Sequence, residues 1–228
     1  VPTAITVNLG ADLTACGSTV LNAGNPGLLY NWSTTATTSA ITVSSSGIYF
    51  VKVSNVNVCE GYDTINVVIT GVNPLVEGFE LTAFPPAGWT INNPDNVITW
   101  SRTTAAYKGG IASMYMNNHS YSAVGQKDEI VSPGLCDLVG ASLTFQVAYQ
   151  LYTNPASGPN YSDTLKVQMS TDGGSTWTTI YNKYGASGST QLTTATPAYS
   201  TSPFIPTTTQ WRKETVALPN ATQMLVKF

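Results

Sequence analysis

The sequence predicts an all-β protein, two β-sandwiches in succession with no helical segment. Three observations carry this. Charged residues make up only 9% of the 228 residues, while Thr, Val, Tyr and Ile, which suit a pleated and half-buried surface, are abundant. Polar and apolar residues alternate with a period of two over many short runs, and no stretch shows a helical period. Gly, Pro and Asn interrupt the chain at short intervals, as sandwich and jelly-roll folds require. No apolar run approaches the ~18 residues that would span a membrane. The chain begins at Val1 rather than Met and shows no leader, so it reads as a mature or excised piece of something longer. A net charge of −3, with only nine scattered Lys and Arg, argues against nucleic acid as a partner. Sparse charge with many hydroxyls and amides fits an extracellular location.

Residues 1–71 form the first expected domain. Its strands are expected at residues 4–9, 18–22, 29–32, 39–43, 47–54 and 63–69, separated by turn sequences such as Gly24-Asn25-Pro26-Gly27 and Ser44-Ser45-Ser46-Gly47. Short strands at this spacing suggest an immunoglobulin-like sandwich, with Trp32 on a central strand as core anchor. Cys16 and Cys59 lie near the ends of this unit, and in a secreted sandwich they are expected to pair. Closing a loop of that size would stabilise by about 4 kcal/mol in the chain-entropy picture. The competing reading, two unpaired buried thiols, stays open, because connectivity is not set by sequence. Cys136 is the odd cysteine, a small buried hydrophobe or a free thiol. Gly71-Val72-Asn73-Pro74 reads as a short, stiff joint.

Within residues 72–228 the clearest local signal is a hairpin. Asp163-Thr164-Leu165-Lys166-Val167-Gln168-Met169 alternates, and so does Thr178-Thr179-Ile180-Tyr181. Between them Asp172-Gly173-Gly174-Ser175 supplies the positive φ that a tight turn needs. Asp172 is expected to accept bonds from backbone N–H groups just beyond it, and Trp177 to anchor the returning strand.

The first domain resembles the PKD-like, Ig-like repeats of large Bacteroidota surface proteins. The matching features are the Leu-Gly-x-Asp opening, Cys16, Leu21-Asn22-Ala23-Gly24, Tyr30-x-Trp32-Ser33, Ser46-Gly47-x-Tyr49, Cys59 and Asp63-Thr64-Ile65. The second domain carries Glu77-Gly78-Phe79-Glu80, Phe84-Pro85-Pro86-Ala87-Gly88-Trp89, Asn93-Pro94-Asp95-Asn96, Trp100-Ser101-Arg102, Asp128-Glu129-Ile130-Val131-Ser132-Pro133, Leu143-Thr144-Phe145 and Trp211-Arg212. With the hairpin, these resemble the cleaved-adhesin or choice-of-anchor J modules, jelly rolls distantly similar to MAM domains. The resemblance implies an adhesive or accessory module of a larger protein exported by a Bacteroidota-type (type IX) secretion system. It also implies a last strand that this chain lacks, and so an open hydrogen-bonding edge near Phe228 suited to self-association.

Ligand expectations follow. The resemblance implies structural Ca²⁺ held by Glu80, Asp95, Asn96 and Asp128, hard oxygen donors of the type that ion prefers; their alternative role is to hydrogen-bond turn backbone. Tyr121, Tyr152 and Tyr161 flank loops near Asn154 and Asn160 and are candidate sugar platforms, although tyrosine in a sandwich more often packs. Alternation places Tyr149 with the apolar set, hence in the core. Asp63-Thr64-Ile65 and Asp163-Thr164-Leu165 resemble the O-glycan acceptor sites of secreted Bacteroidota proteins, with Thr64 and Thr164 as acceptors.

Enzyme chemistry fails by inventory. The stretch Ser-Thr-Asp-Gly-Gly-Ser-Thr-Trp at 170–177 resembles the Asp-box of sialidases, but that class implies three arginines and several boxes around a propeller. This chain has two arginines, Arg102 and Arg212, and one box. His119 is the only histidine and no H-E-x-x-H exists, against a zinc hydrolase. His119 could serve a Ser-His-Asp triad as its base, but no G-x-S-x-G turn is present and Asn117-Asn118-His119-Ser120-Tyr121 reads as an exposed loop. Among the twelve acids no pair is marked by a motif as a glycosidase couple. The expectation is a non-catalytic adhesion or ligand-binding segment for glycans or matrix proteins. Two alternatives are the accessory region of a secreted metalloprotease or glycosidase and the subunit of a surface filament.

Overall fold

The structure is a computed structural model that describes residues 4–56, 59–121, 124–153, 160–186 and 188–228. It is all-β: among the described residues the one helical element is a 3-10 turn at Asn118–Ser120, and no helix is long and apolar enough to cross a membrane. The chain divides into two compact units, Val1–Asn73 and Pro74–Phe228.

The first unit holds β1 (Leu13–Ala15), β2 (Thr19–Asn22), β3 (Leu29–Trp32), β4 (Ala40–Val43), β5 (Gly47–Ser54) and β6 (Glu60–Ile69). Among the described residues one sheet runs β1-β6-β5-β3 and a second pairs β2 with β4. Alternation on β5 and β6 sends Val51, Val53, Ile65 and Val67 inward, where they meet Leu21 and Val43 from the other sheet. Burying each such side chain contributes about 1.5–3 kcal/mol. Trp32 is buried in this core and its indole N–H donates to the Thr38 carbonyl at 2.8 Å. Its strand is at the edge of the sheet, not the centre as expected from the sequence. An inward ring with a satisfied N–H stays buried at either position.

Two further expectations for this unit are corrected. Residues 4–9 alternate, yet they join no ladder. Val7 is buried, and the segment is fixed by the Leu9 N–H donating to Asp63 Oδ2 at 2.6 Å. The backbone crosses so closely over Gly61 that a Cβ there would lie 2.3 Å from the Ile5 carbonyl oxygen, which is why glycine stands at that point. The Cys16–Cys59 disulfide is not formed, and Cys59 is a free cysteine. Strand β1 runs parallel to β6 and pairs Ala15 with Ile69, so Cys16 lies at the far end of β6 from Cys59. A ten-residue strand spans about 30 Å. A disulfide needs Cα atoms within about 7 Å. Proximity to the ends of the unit in sequence was no guide to proximity in space.

The second unit holds β7 (Thr90–Asn92), β8 (Ser101–Thr103), β9 (Ser113–Tyr115), β10 (Glu129–Val131), β11 (Leu135–Leu138), β12 (Ser142–Val147) and β13 (Leu151–Thr153). After them come β14 (Asn160–Tyr161), β15 (Thr164–Ser170), β16 (Thr178–Tyr184), β17 (Tyr199–Ser200), β18 (Arg212–Ala217) and β19 (Ala221–Lys227). The main sheet runs β16-β15-β19-β10-β7, with β11 also on β19. Strands β12 and β18 pair across from it, and the sandwich interior between them is seen in Phe145, whose ring meets Tyr181 at 5.2 Å and Phe228 at 5.4 Å. Lys183 on β16 reaches Glu214 on β18 at 3.0 Å, and Glu214 also accepts from Arg212.

The expected open edge at the C-terminal strand is corrected here. β19 lies inside the sheet, with β15 on one side and β10 and β11 on the other. Phe228 exchanges both backbone bonds with Ile130 at 3.0 Å. Val226 and Lys227 of β19 therefore have backbone partners on both sides. Cys136 on β11 is buried and disulfide-bonded, so the free thiol that the sequence left open is corrected.

Candidate functional site

Two neighbouring groups of side chains in the second unit are candidates. The first grows from the β7–β10 pair, whose register sets Thr90 against Val131 and Asn92 against Glu129. Continued by one residue, the same register sets Asn93 opposite Asp128. Beyond Asn93 the chain turns: the Asn96 N–H donates to the Asn93 carbonyl at 3.3 Å, Asn96 takes a positive φ of 56°, and Asp95 Oδ1 accepts from the Val97 N–H. The Tyr121 hydroxyl donates to Asp95 Oδ2 at 2.5 Å. Burial raises the Tyr121 pKa above its ordinary value, reinforced by Asp95 and by Asp128. Both carboxylates therefore act on one phenol.

Among the described residues, Asp128 Oδ1, Asn93 Oδ1 and Thr99 Oγ1 are buried without a hydrogen-bond partner. Buried oxygens rarely go unpaired. Oxygens of carboxylate and amide type are the donor set that Ca²⁺ takes, so the residues present fit that ion in kind. Among the described residues no three His, Cys, Asp or Glu side chains gather to hold a metal, so neutral oxygens would have to share the coordination. Of the expected donors, Glu80 accepts the Ile111 N–H on Oε2 at 2.8 Å, and the Asn96 backbone N–H closes the turn. Asn93 and Thr99 were not among them, because nothing in sequence marks a side chain whose partner is absent.

The second group is aromatic. Tyr152 on β13 and Tyr161 on β14 are cross-strand neighbours whose rings stack at 5.9 Å and 21°. His119 stands edge-on to Tyr152 at 4.9 Å. Tyr161 is 47% exposed and His119 is exposed as well. The sequence pointed to Tyr152 and Tyr161 but not to the meeting of His119 with Tyr152, 33 residues further on, which no local pattern reveals. Tyr121 follows the turn that carries His119, with its N–H on the Asn118 carbonyl and its hydroxyl on Asp95. Asn154 and the side chain of Asn160 lie outside the described residues. Tyr149 is half-buried, its hydroxyl exchanging bonds with Asp163.

The Asp-box hairpin is a clasp. Asp172 Oδ1 accepts from the Ser170 hydroxyl at 2.7 Å and the Thr176 N–H at 2.9 Å, and Oδ2 accepts from the Thr176 hydroxyl. The bonds from Thr176 and then from Ser170 hold its pKa down to about 2. Trp177 carries Lys227 Nζ 4.3 Å above its ring, and Lys227 pairs with Glu129 at 2.6 Å. The hairpin is thereby tied to β19 and β10. Thr64 and Thr164 are both exposed.

No family model matches the chain, and no curated protein does. Among solved structures, the chain is similar to the K1 cleaved adhesin domain of Lys-gingipain (Kgp) from Porphyromonas gingivalis W83, with TM-score 0.42 and 21% identity over 67% of this chain and 85% of that one. It is also similar to a structure of carbohydrate-binding modules from the β-sandwich superfamily, with TM-score 0.31 and 16% identity over 99% of this chain and 91% of that one. At such scores the likeness assigns no residue and no activity to this chain.

Proposed function

We propose that this chain is a non-catalytic, extracellular adhesion or glycan-binding segment of a larger secreted surface protein, and that its second unit binds sugar on the rings of Tyr152, Tyr161 and His119. The observation that carries it is the stacked, partly exposed ring pair with a third ring edge-on. Aromatic faces receive the C–H face of a pyranose, and they lose little conformational freedom on doing so. O-glycans on the exposed Thr64 and Thr164 would suit the same surface location.

A calcium ion held by Asp128, Asn93 and Thr99 would supply the partner that their buried oxygens lack, and with Asp95 of the neighbouring turn would fix residues 93–97 against the start of β10. Its role is structural. An ion that binds only the folded unit stabilises it by about 2.7 kcal/mol at a hundred times its dissociation constant.

The test is a glycan array with and without Ca²⁺, followed by calorimetry on any hit. Tyr152→Ala and Tyr161→Ala should each weaken binding at least tenfold without lowering the melting temperature by more than a degree or so. Ca²⁺ should raise the melting temperature of the parent and not of Asp128→Asn. Sugar binding untouched by both tyrosine substitutions refutes the platform; equal calcium stabilisation in Asp128→Asn refutes the ion site.

A further inference from the structure

One residue, Tyr121, stands between the oxygen cluster and the aromatic platform of the second unit. On the cluster side, the β7–β10 register brings Asn93 to Asp128, and Trp100, next to Thr99, donates its indole N–H to the Asp128 carbonyl at 3.1 Å. Asn93 and Thr99 bracket Asp95 in sequence, so Asp95 moves with the segment that carries two of the three unpartnered oxygens. Asp95 Oδ2 accepts the Tyr121 hydroxyl at 2.5 Å.

On the platform side, the Tyr121 N–H donates to the Asn118 carbonyl at 3.1 Å and so closes the 3-10 turn Asn118–Ser120. None of the turn's residues is buried, and Asn117 before it makes no capping side-chain bond. A three-residue element with no buried side chain lies at the low end of local stability, so its hold on Tyr121 matters. The middle residue of the turn, His119, stands edge-on to Tyr152, which stacks on Tyr161. Asp95, Tyr121, the 118–120 turn and Tyr152 thus form a continuous path of bonds and ring contacts.

Charge sets the direction of the effect. The Asp95 and Asp128 carboxylates both act on the Tyr121 phenol, and two like charges so placed repel each other. A divalent cation among them cancels that repulsion and draws residues 93–99 toward Asp128. The Tyr121 hydroxyl then has a fixed acceptor, and the turn holds His119 against Tyr152.

We infer that Tyr121 couples calcium to sugar: an ion at Asp128, Asn93 and Thr99 orders the 118–120 turn through Asp95 and Tyr121, and so tightens sugar binding on the platform. This coupling presupposes the platform and the ion site proposed above and adds the link between them. Tyr121 is a positioning residue, acting through Asp95 on one side and His119 on the other. Coupling between two sites is reciprocal, so sugar raises calcium affinity by the same factor.

His119 is the only histidine, so its ring protons are a single-residue reporter in proton NMR. The full chain is titrated with calcium chloride at fixed pH. In the parent, calcium should shift the His119 ring resonances. In calorimetry it should tighten the best-binding hexasaccharide of β-1,4-glucan, β-1,4-xylan, β-1,3-glucan or α-1,6-mannan about fivefold or more. The same saccharide should lower the calcium dissociation constant by an equal factor. Tyr121→Phe keeps the ring and loses only the hydroxyl. It should still bind calcium, while its His119 resonances and its sugar affinity no longer respond. Asp128→Asn should lose the response together with the ion. The coupling is overturned if calcium binds the parent and neither His119 nor sugar affinity responds, or if Tyr121→Phe responds as the parent does. Failure of its premises reads differently. No calcium binding refutes the ion site, a His119 response with no saccharide bound refutes the platform, and either result takes the coupling with it.

Discussion

Replacing Lys227 with Met tests how the Asp-box hairpin is anchored. Lys227 is 9% exposed on β19, in the middle of the main sheet. Its ammonium sits 4.3 Å over the Trp177 ring and 2.6 Å from Glu129 Oε1. Met keeps most of the volume and the apolar stem, so the change removes the charge and little else. A largely desolvated cation–π contact is worth ~1–2 kcal/mol. The ion pair to a partly exposed glutamate adds about 1 kcal/mol or less. The expected loss is about 2 kcal/mol, a fall in melting temperature of roughly 4–8 °C for a unit of this size. Urea titration followed by tryptophan fluorescence reads it, with Glu129→Gln and the double variant completing a cycle that isolates the pair. The pH dependence supplies a second readout. Burial opposes ionisation of Glu129, but the bonds from Lys227 and Asn92 outweigh it and hold its pKa below the ordinary value. A depressed folded value gives stability that is present above the unfolded pKa of about 4.3 and lost as pH falls through the folded one. That part of the acid limb should flatten in Lys227→Met. A variant within about 0.5 kcal/mol of the parent, with an unchanged acid limb, would refute the anchoring role.

Asp172→Ala should lower the stability of the second unit at neutral pH and leave sugar binding intact. Its effect should shrink as pH falls toward about 2, because the depressed Asp172 contributes stability above its unfolded value that disappears on protonation. Acid unfolding of parent and variant checks this. Gly110→Ala should destabilise by about 2 kcal/mol, since φ there is +71° and a Cβ would fall 1.8 Å from Glu80 Oε1; adding Glu80→Ala should restore part of the loss in a thermal melt. Cys59→Ala should change stability by less than about 0.5 kcal/mol, and Cys59 should react with iodoacetamide in the native protein, whereas a structural disulfide would make both results impossible.

The elements legible in sequence were those with long alternation and a marked turn. Residues 47–54 and the hairpin of β15 and β16 lie nearly where the period of two puts them. Strand β1 was missed because three residues cannot display a period, and its partner β6 lies more than fifty residues away. Residues 4–9 misled in the opposite sense: a segment that lays alternate side chains into a core repeats every two residues whether or not it finds a ladder. At the candidate site, residue types were readable but meetings were not. Asp95 and Asp128 were marked through the resemblance, yet their joint effect on Tyr121 depends on a register between β7 and β10. Glu80 looked equivalent to them until the turn at Gly110 claimed its carboxylate.

The position of β19 has a kinetic consequence. It is the last strand in chain order and an inner strand in space, pairing Met169 with Val226 and Leu135 with Met224. Until residues 221–227 arrive, β15 and β10 each present an unpaired edge where the sheet should be continuous. Contacts of such sequence separation form slowly, because a long loop must close before they hold. The second unit therefore cannot complete itself from its N-terminal end, and the first unit, closed by its own β5–β6 pairing, can be finished while the second is still open. During that interval the gap between β10 and β15 is the place where a foreign strand would do the most damage.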